Sequence, residues 1–231
     1  RTYAGQFLAG KPTGKGLIEW PGGDHYEGDV VDGTPHGKGV WKNRDGHTYE
    51  GDFVEGQWHG RGLYKEGERT YKGAFRTGRQ SGAGEIVWAN GDKYTGELMD
   101  GKPHGQGRFI QVSGERYEGE WRGGLKNGEG VWSKGAETYR GAWQAGKRHG
   151  KGVWEGPKNE HYEGDWWAGR RQGLGVLTLV DGGRYDGGFA DDKRNGDGVQ
   201  TFANGDKYEG QWRDGRFHGV GVLELAAGGR Y

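Results

Sequence analysis

A tyrosine returns every 22 or 23 residues along the whole chain: Tyr3, Tyr26, Tyr49, Tyr71, Tyr94, Tyr117, Tyr139, Tyr162, Tyr185, Tyr208 and Tyr231. A period of that length requires a fold stacked from like units, none of which can bury a core alone. Ten units are present, followed by the first residue of an eleventh. In each, a glycine stands two residues after the tyrosine, and two more stand eleven and thirteen after it, as in Gly37 and Gly39 or Gly150 and Gly152. A large apolar residue follows the tyrosine by four: Phe7, Val30, Phe53, Phe75, Leu98, Trp121, Trp143, Trp166, Phe189 and Trp212. Another follows by fifteen: Ile18, Trp41, Tyr64, Ile86, Phe109, Trp132, Trp154, Leu177 and Leu223, with Gln200 the one exception.

Offsets 0, 2 and 4 from the tyrosine share one face of a strand, as do offsets 11, 13 and 15. Each unit therefore predicts a β-hairpin, and the chain an all-β, elongated single-layer antiparallel sheet of tandem hairpins. Pairing in which offsets sum to fifteen sets the tyrosine opposite the residue at fifteen and glycine opposite glycine. It also sets the large residue at four opposite the glycine at eleven, bare backbone under a ring, which accounts for glycine inside strands. The hairpin turn is expected in stretches such as Asp100-Gly101-Lys102-Pro103-His104-Gly105, and the link between units in stretches such as Asn90-Gly91-Asp92. In a 22-residue unit the missing residue falls in that link, where Glu66-Gly67-Glu68 is shorter.

Composition agrees with a repeat whose rings do the burying. Only 30% of residues are apolar, yet 11 Trp, 12 Tyr and 7 Phe are interleaved with 54 Gly. Charge balances at 33 basic and 33 acidic residues, which gives no basis for nucleic-acid binding. Apolar runs such as Val176 to Val180 fall far short of the ~20 residues a spanning helix needs. There is no cysteine, so no disulfide or thiolate metal site, which fits a reducing compartment. The chain starts and stops inside the pattern, and is expected to be one continuous array, 1–231, cut from a longer one.

The consensus Y-E-G-x-W-x-x-G-x-x-H-G-x-G is cleanest in Tyr162-Glu163-Gly164-Asp165-Trp166 and in Tyr208-Glu209-Gly210-Gln211-Trp212 with His218-Gly219. It resembles the MORN (membrane occupation and recognition nexus) repeat family over essentially the whole chain. Ala4, Lys72, Thr95, Arg140 and Asp186 replace the usual Glu, and Asp192 replaces the Gly at offset seven. The resemblance implies a single-layer sheet of hairpins and, among family members, a role like that of the protist cytoskeletal scaffolds. These assemble as antiparallel dimers, within the cell and in places at the inner face of a membrane.

Five histidines, His36, His59, His104, His149 and His218, share offset ten. Successive ones should lie two strand spacings apart, ~10 Å, too far to share a metal ion, so a structural role in the turn is expected. No unique set of nucleophile, base and acid occurs, and neither an enzyme activity nor a cofactor is expected. Basic residues including Lys38, Arg61, Lys102, Lys147 and Lys151 suggest a stripe along the turns, the basis for an alternative reading as a phosphoinositide-binding adaptor. The aromatic face is expected to leave a long groove partly open, to be covered by a second copy, another cytoskeletal protein, or an amphipathic helix of a motor or kinase. For homodimerisation, the apolar last units point to Val199, Phe202, Val222, Leu223 and Leu225.

Overall fold

The computed structural model describes all 231 residues, in two compact units, Arg1–Ser113 and Gly114–Tyr231. The first holds β1 (Thr2–Leu8), β2 (Lys11–Glu19), β3 (His25–Val31), β4 (Thr34–Lys42), β5 (Thr48–Val54), β6 (Gln57–Glu66), β7 (Arg69–Arg76), β8 (Arg79–Val87), β9 (Lys93–Met99) and β10 (Lys102–Ile110). The second holds β11 (Arg116–Arg122), β12 (Leu125–Lys134), β13 (Glu137–Gln144), β14 (Lys147–Glu155), β15 (His161–Trp167), β16 (Arg170–Thr178), β17 (Arg184–Ala190), β18 (Lys193–Thr201), β19 (Lys207–Arg213) and β20 (Arg216–Glu224). Within each unit every strand pairs antiparallel with the next, so each is a meander of five hairpins. The one helical turn is Pro157–Asn159.

The expected register holds at one end of each hairpin and breaks at the other. Between β3 and β4, Tyr26 faces Trp41 and Gly28 faces Gly39, but a bulge then sets Val30 opposite Pro35 at offset nine. The large residue at offset four does lie against a glycine at offset eleven, but that of the preceding hairpin: Gly37 faces Phe53 and Gly150 faces Trp166. Rings therefore bind neighbouring hairpins together rather than closing their own hairpin.

The turn is tighter than expected. It takes two residues, as in Asp32 and Gly33, both at positive φ (48° and 77°), the conformation of a type I′ turn. The offset-ten histidines consequently sit in the second strand of each hairpin, at the bulge, and not in the turn. The short links behave as expected: around Gly67, β6 and β7 stay paired as far as Glu66 opposite Arg69.

Glycine at offsets two and thirteen is a matter of space. A Cβ on Gly62 would lie 2.6 Å from Cζ and Oη of Tyr49, and one on Gly175 would lie 2.6 Å from Cε2 and Cζ of Tyr162. The tyrosine ring lies flat where those side chains would stand. Its hydroxyl donates to the carbonyl at offset three, the bulged residue, at 2.9 Å for Tyr49 to Asp52 and 3.0 Å for Tyr162 to Asp165. From Tyr26 to Tyr185 each repeat tyrosine is fully buried. Each is flanked edge-on by two offset-four rings where both neighbours are aromatic: Tyr139 meets Trp143 and Trp166 with centroids 5.2 Å away.

The aromatic face is thus largely covered by its own side chains, and in place of the long groove expected there it keeps a smaller pocket of about 420 Å³ among Trp20, Trp41, Phe53 and Trp58. Residues at offset nine complete the cover. In the second unit all but Phe217 are cations: the Arg148 guanidinium lies 5.2, 4.9 and 5.1 Å from the centroids of Trp132, Tyr139 and Trp166. Gln200, the departure at offset fifteen, is buried because Arg194 donates to its Oε1 at 2.6 Å while its Nε2 donates to Thr201 O at 2.9 Å. Asp192, the other departure, accepts at Oδ1 from the backbone amide and Nε of Arg171 at 2.9 and 3.3 Å.

Candidate functional site

With the rings turned to one face, open space lies on the other. In the first unit that face carries a groove of about 1630 Å³ running across the strands. Its floor is a row of glycines in continuous register, Gly5, Gly16, Gly28, Gly39, Gly51, Gly62, Gly73, Gly84 and Gly96. The glycines demanded by tyrosine packing on one face leave bare backbone on the other.

One wall is a second row in register: Ala4, Leu17, Glu27, Val40, Glu50, Leu63, Lys72, Glu85 and Thr95. Aliphatic and charged side chains alternate along it from Leu17 to Lys72, because offset fourteen of one hairpin meets offset one of the next. Val40 is 43% exposed, so the apolar part of this wall is open to a ligand. The opposite wall comes from offset twelve: Lys15, Lys38, Arg61 and Ala83.

The acids at offset three have a structural task that the sequence reading did not assign them. At the bulge the amide at offset twelve has no ladder partner, and the carboxylate takes it: Lys38 N donates to Asp29 Oδ2 and Arg61 N to Asp52 Oδ2, both at 3.0 Å. The preceding hairpin's lysine neutralises each acid, Lys15 with Asp29 at 2.7 Å and Lys38 with Asp52 at 2.5 Å. The Lys15 and Lys38 contacts hold the Asp29 carboxyl below the usual carboxylate range. Gly60, at offset eleven with φ of +59°, supplies the bulge conformation, and a Cβ there would lie 3.0 Å from Asp52 Cβ and Cγ.

The five cations considered for lipid contact do not form one stripe. Lys38, Arg61 and Lys151 occupy offset twelve on the groove face, whereas Lys102 and Lys147 begin second strands beside the hairpin turns. Lys38 and Lys151 are paired, the latter with Asp165 at 2.7 Å. The five apolar residues considered for dimerisation also divide. Val199 and Val222 occupy offset fourteen on the groove face, Leu223 faces Tyr208, and Phe202 packs edge-on with Phe217 at 6.4 Å. At the outer edge of β20, Leu223 and Tyr231 exchange backbone hydrogen bonds of 3.0 and 2.9 Å, and Leu225 N donates to Gly229 O. The last residues therefore fold back over the edge beside Leu223 and Leu225.

Reading the sequence for one aromatic face passed over the groove walls. The signal was present in the recurring aliphatic at offset fourteen, Leu17, Val40, Leu63, Val131, Val153, Val176, Val199 and Val222.

A single open antiparallel sheet of twenty strands in tandem hairpins, as the sequence predicts, with a buried tyrosine row and a glycine row, defines a β-repeat protein of the solenoid class, in which surface rather than enclosed space is what the fold offers. The MORN repeat model matches residues 3–25, 26–48, 49–65, 71–93, 94–116, 117–135, 139–160, 162–184, 185–207 and 208–230, and the chain belongs to the MORN repeat family. Its two shortest matches fall on the hairpins with short links. No curated protein matches the sequence significantly. Among solved structures the fold is similar to the wild-type TCP10 domain of Danio rerio CPAP, in complex with a peptide of Danio rerio STIL. That likeness has a TM-score of 0.50 at 12% identity and covers 100% of this chain and 97% of that one. The TCP domain of SAS-4 of Drosophila melanogaster, in complex with a proline-rich motif of Ana2, matches at 16% identity and a TM-score of 0.39 over 65% of this chain and 82% of that one.

Proposed function

We propose that the chain is a non-enzymatic protein-binding scaffold, and that it holds its partner in the glycine-floored groove of the first unit. The observation that carries this reading is the wall in which Leu17, Val40 and Leu63 alternate with Glu27, Glu50 and Lys72 above bare glycine backbone. Such a surface offers apolar contact and charge at a fixed interval, which suits a chain segment better than a small molecule. All of its side chains but Lys72 recur at the same offset in other hairpins, so they do not form the single constellation that catalysis needs. The CPAP TCP10 domain, a fold of the same kind, holds a peptide. In the same reading the scaffold is cytoskeletal and self-associates through its last two hairpins, where Val199 and Val222 continue the aliphatic row. Lys102 and Lys147, which stand outside any ion pair, are the candidates for an anionic phospholipid contact.

Selection of peptides from a displayed random library tests the reading, with the parent chain as bait and Val40→Asp with Leu63→Asp as the counter-bait. Both positions are at the surface, and circular dichroism checks that the variant folds. Peptides that bind the parent and lose the variant are the expected result. Peptides that bind both equally, or a library that yields none, overturn it.

A further inference from the structure

Along the groove the hairpin repeat sets a ruler. Equivalent residues of successive hairpins are two strands apart, about 9.6 Å. The walls at offsets twelve and fourteen are separated by two residues along a strand, about 6.6 Å between backbones. An α-helix, about 10 Å across, does not enter a channel that narrow, and its nearest matching interval, seven residues, is about 10.5 Å. It would slip against the ruler by most of an ångström per hairpin. A β-strand repeats its facing every two residues, about 6.6 Å, which fits worse. A polyproline-II helix rises 3.1 Å per residue with three residues per turn, so one edge returns every ~9.3 Å. It is narrow, and it keeps step with the hairpins over several turns.

The charges along the wall fix what each turn should carry. Glu27, Glu50 and Lys72 stand on β3, β5 and β7, one hairpin apart, and none is in an ion pair, unlike Lys15, Lys38 and Glu85. Val40 lies between the two glutamates and Leu63 between Glu50 and Lys72. The row thus reads acid, aliphatic, acid, aliphatic, base.

We infer that the groove's ligand is a polyproline-II segment bearing a basic residue at positions i and i+3 and an acidic one at i+6, with prolines or aliphatic residues between them. The cations meet Glu27 and Glu50, the acid meets Lys72, and the apolar residues rest on Val40 and Leu63. Because acids and base occupy opposite ends, the segment enters in one direction only. This rests on the groove being the binding surface, and it adds the ligand's conformation, spacing and polarity.

The test uses the full chain and three labelled twelve-residue peptides, with a fourth for the charge-swapped chain, in fluorescence anisotropy at low and high salt. The first is proline-rich with Arg at i and i+3 and Glu at i+6, the second has those charges reversed, and the third is a helix former of the same charges. The first peptide should bind tightest. A chain with Glu50→Lys and Lys72→Glu should bind it roughly three- to tenfold more weakly at low salt, with the difference shrinking as salt rises. A peptide carrying Arg at i, Glu at i+3 and Arg at i+6 should recover the loss on that variant. Equal binding of the first two peptides, tighter binding of the helical one, or failure of the swapped peptide to recover affinity overturns the inference. If the library selection still returns groove-dependent peptides of another form, the scaffold reading stands and only the ligand class falls. If it returns none, the groove itself is not the site.

Discussion

The two units are each built on the same kind of core and cover it differently. In both, a buried tyrosine lies on paired glycines and donates to the bulge carbonyl, as Tyr49 does to Asp52 and Tyr162 to Asp165. Over that core the first unit places Phe7, Val30, Phe53, Phe75 and Leu98 at offset four, with Pro12, Pro35, Trp58, Gln80 and Pro103 at offset nine. The second places Trp121, Trp143, Trp166, Phe189 and Trp212 at offset four, with Lys126, Arg148, Arg171, Arg194 and Phe217 at offset nine. Bulkier indoles leave less room and gain an extra donor: Trp166 Nε1 bonds Gly152 O at 3.2 Å, and Trp212 Nε1 bonds Gly198 O at 3.2 Å. Flat guanidinium groups then lie over those rings where the first unit lays pyrrolidine rings or an indole. The fold tolerates either cover because both are thin and mostly apolar, and it tolerates no change beneath it.

The largest effects should therefore be equal in the two units. Gly62→Val and Gly175→Val each force atoms into a tyrosine ring that has no free rotamer, and each should cost about 3 kcal/mol in urea denaturation. A variant tolerated in one unit and not in the other would show that the tyrosine rows are not held alike.

Alkali should act next, again on both units. Burial pushes the hydroxyls of Tyr71 and Tyr94 in the first unit, and of Tyr139 and Tyr185 in the second, up to about 12. An unfolded chain releases these protons near pH 10, while the folded chain holds them until about pH 12. The stability they contribute is therefore complete below pH 10 and is lost as the pH rises through 12. Circular dichroism and tyrosinate absorbance should change together in that window. Tyrosines that ionise at pH 10 with the sheet intact would show that the hydroxyls reach water.

Most of the core could be read from the chain because offsets 0, 2, 13 and 15 obey the strand period. Tyr26 opposite Trp41 and Gly28 opposite Gly39 follow from counting. What counting missed begins at the bulge. Glycine recurs at offset eleven and an acid at offset three in half the hairpins, but nothing in the two-residue strand period marks the positive φ of Gly60 or the Asp52 carboxylate as parts of a bulge, so the shift from offset eleven to nine opposite the ring went unseen. The site was missed for a related reason. With the aromatics assigned to one face, the alternating Val40, Glu50 and Leu63 on the other were given no role. Only the structure shows that glycine backbone between them makes a channel.

The smallest expected effect is the sharpest check on whether the two covers are interchangeable. Arg148 has no ion-pair partner, and burial pushes its guanidinium pKa down, so its charge is held only by ring faces and distant acids. Replacing such a group with an apolar one of similar extent is often close to neutral. Proline is the replacement already used by the first unit, where Pro12, Pro35 and Pro103 occupy the same offset inside β2, β4 and β10. Proline within a strand usually removes a ladder hydrogen bond. Offset nine pairs at the bulge end of the hairpin, and it is the carbonyl, which proline keeps, that bonds onward: Gly56 N donates to Pro35 O and Gly169 N to Arg148 O, each at 2.9 Å. Arg148→Pro should therefore cost no more than about 1 kcal/mol, against about 2 kcal/mol for Arg148→Ala, which uncovers Tyr139 and Trp166. A cost for the proline variant of about 3 kcal/mol, the penalty for proline where the backbone cannot accept it, would mean that the cation cover comes with a backbone of its own.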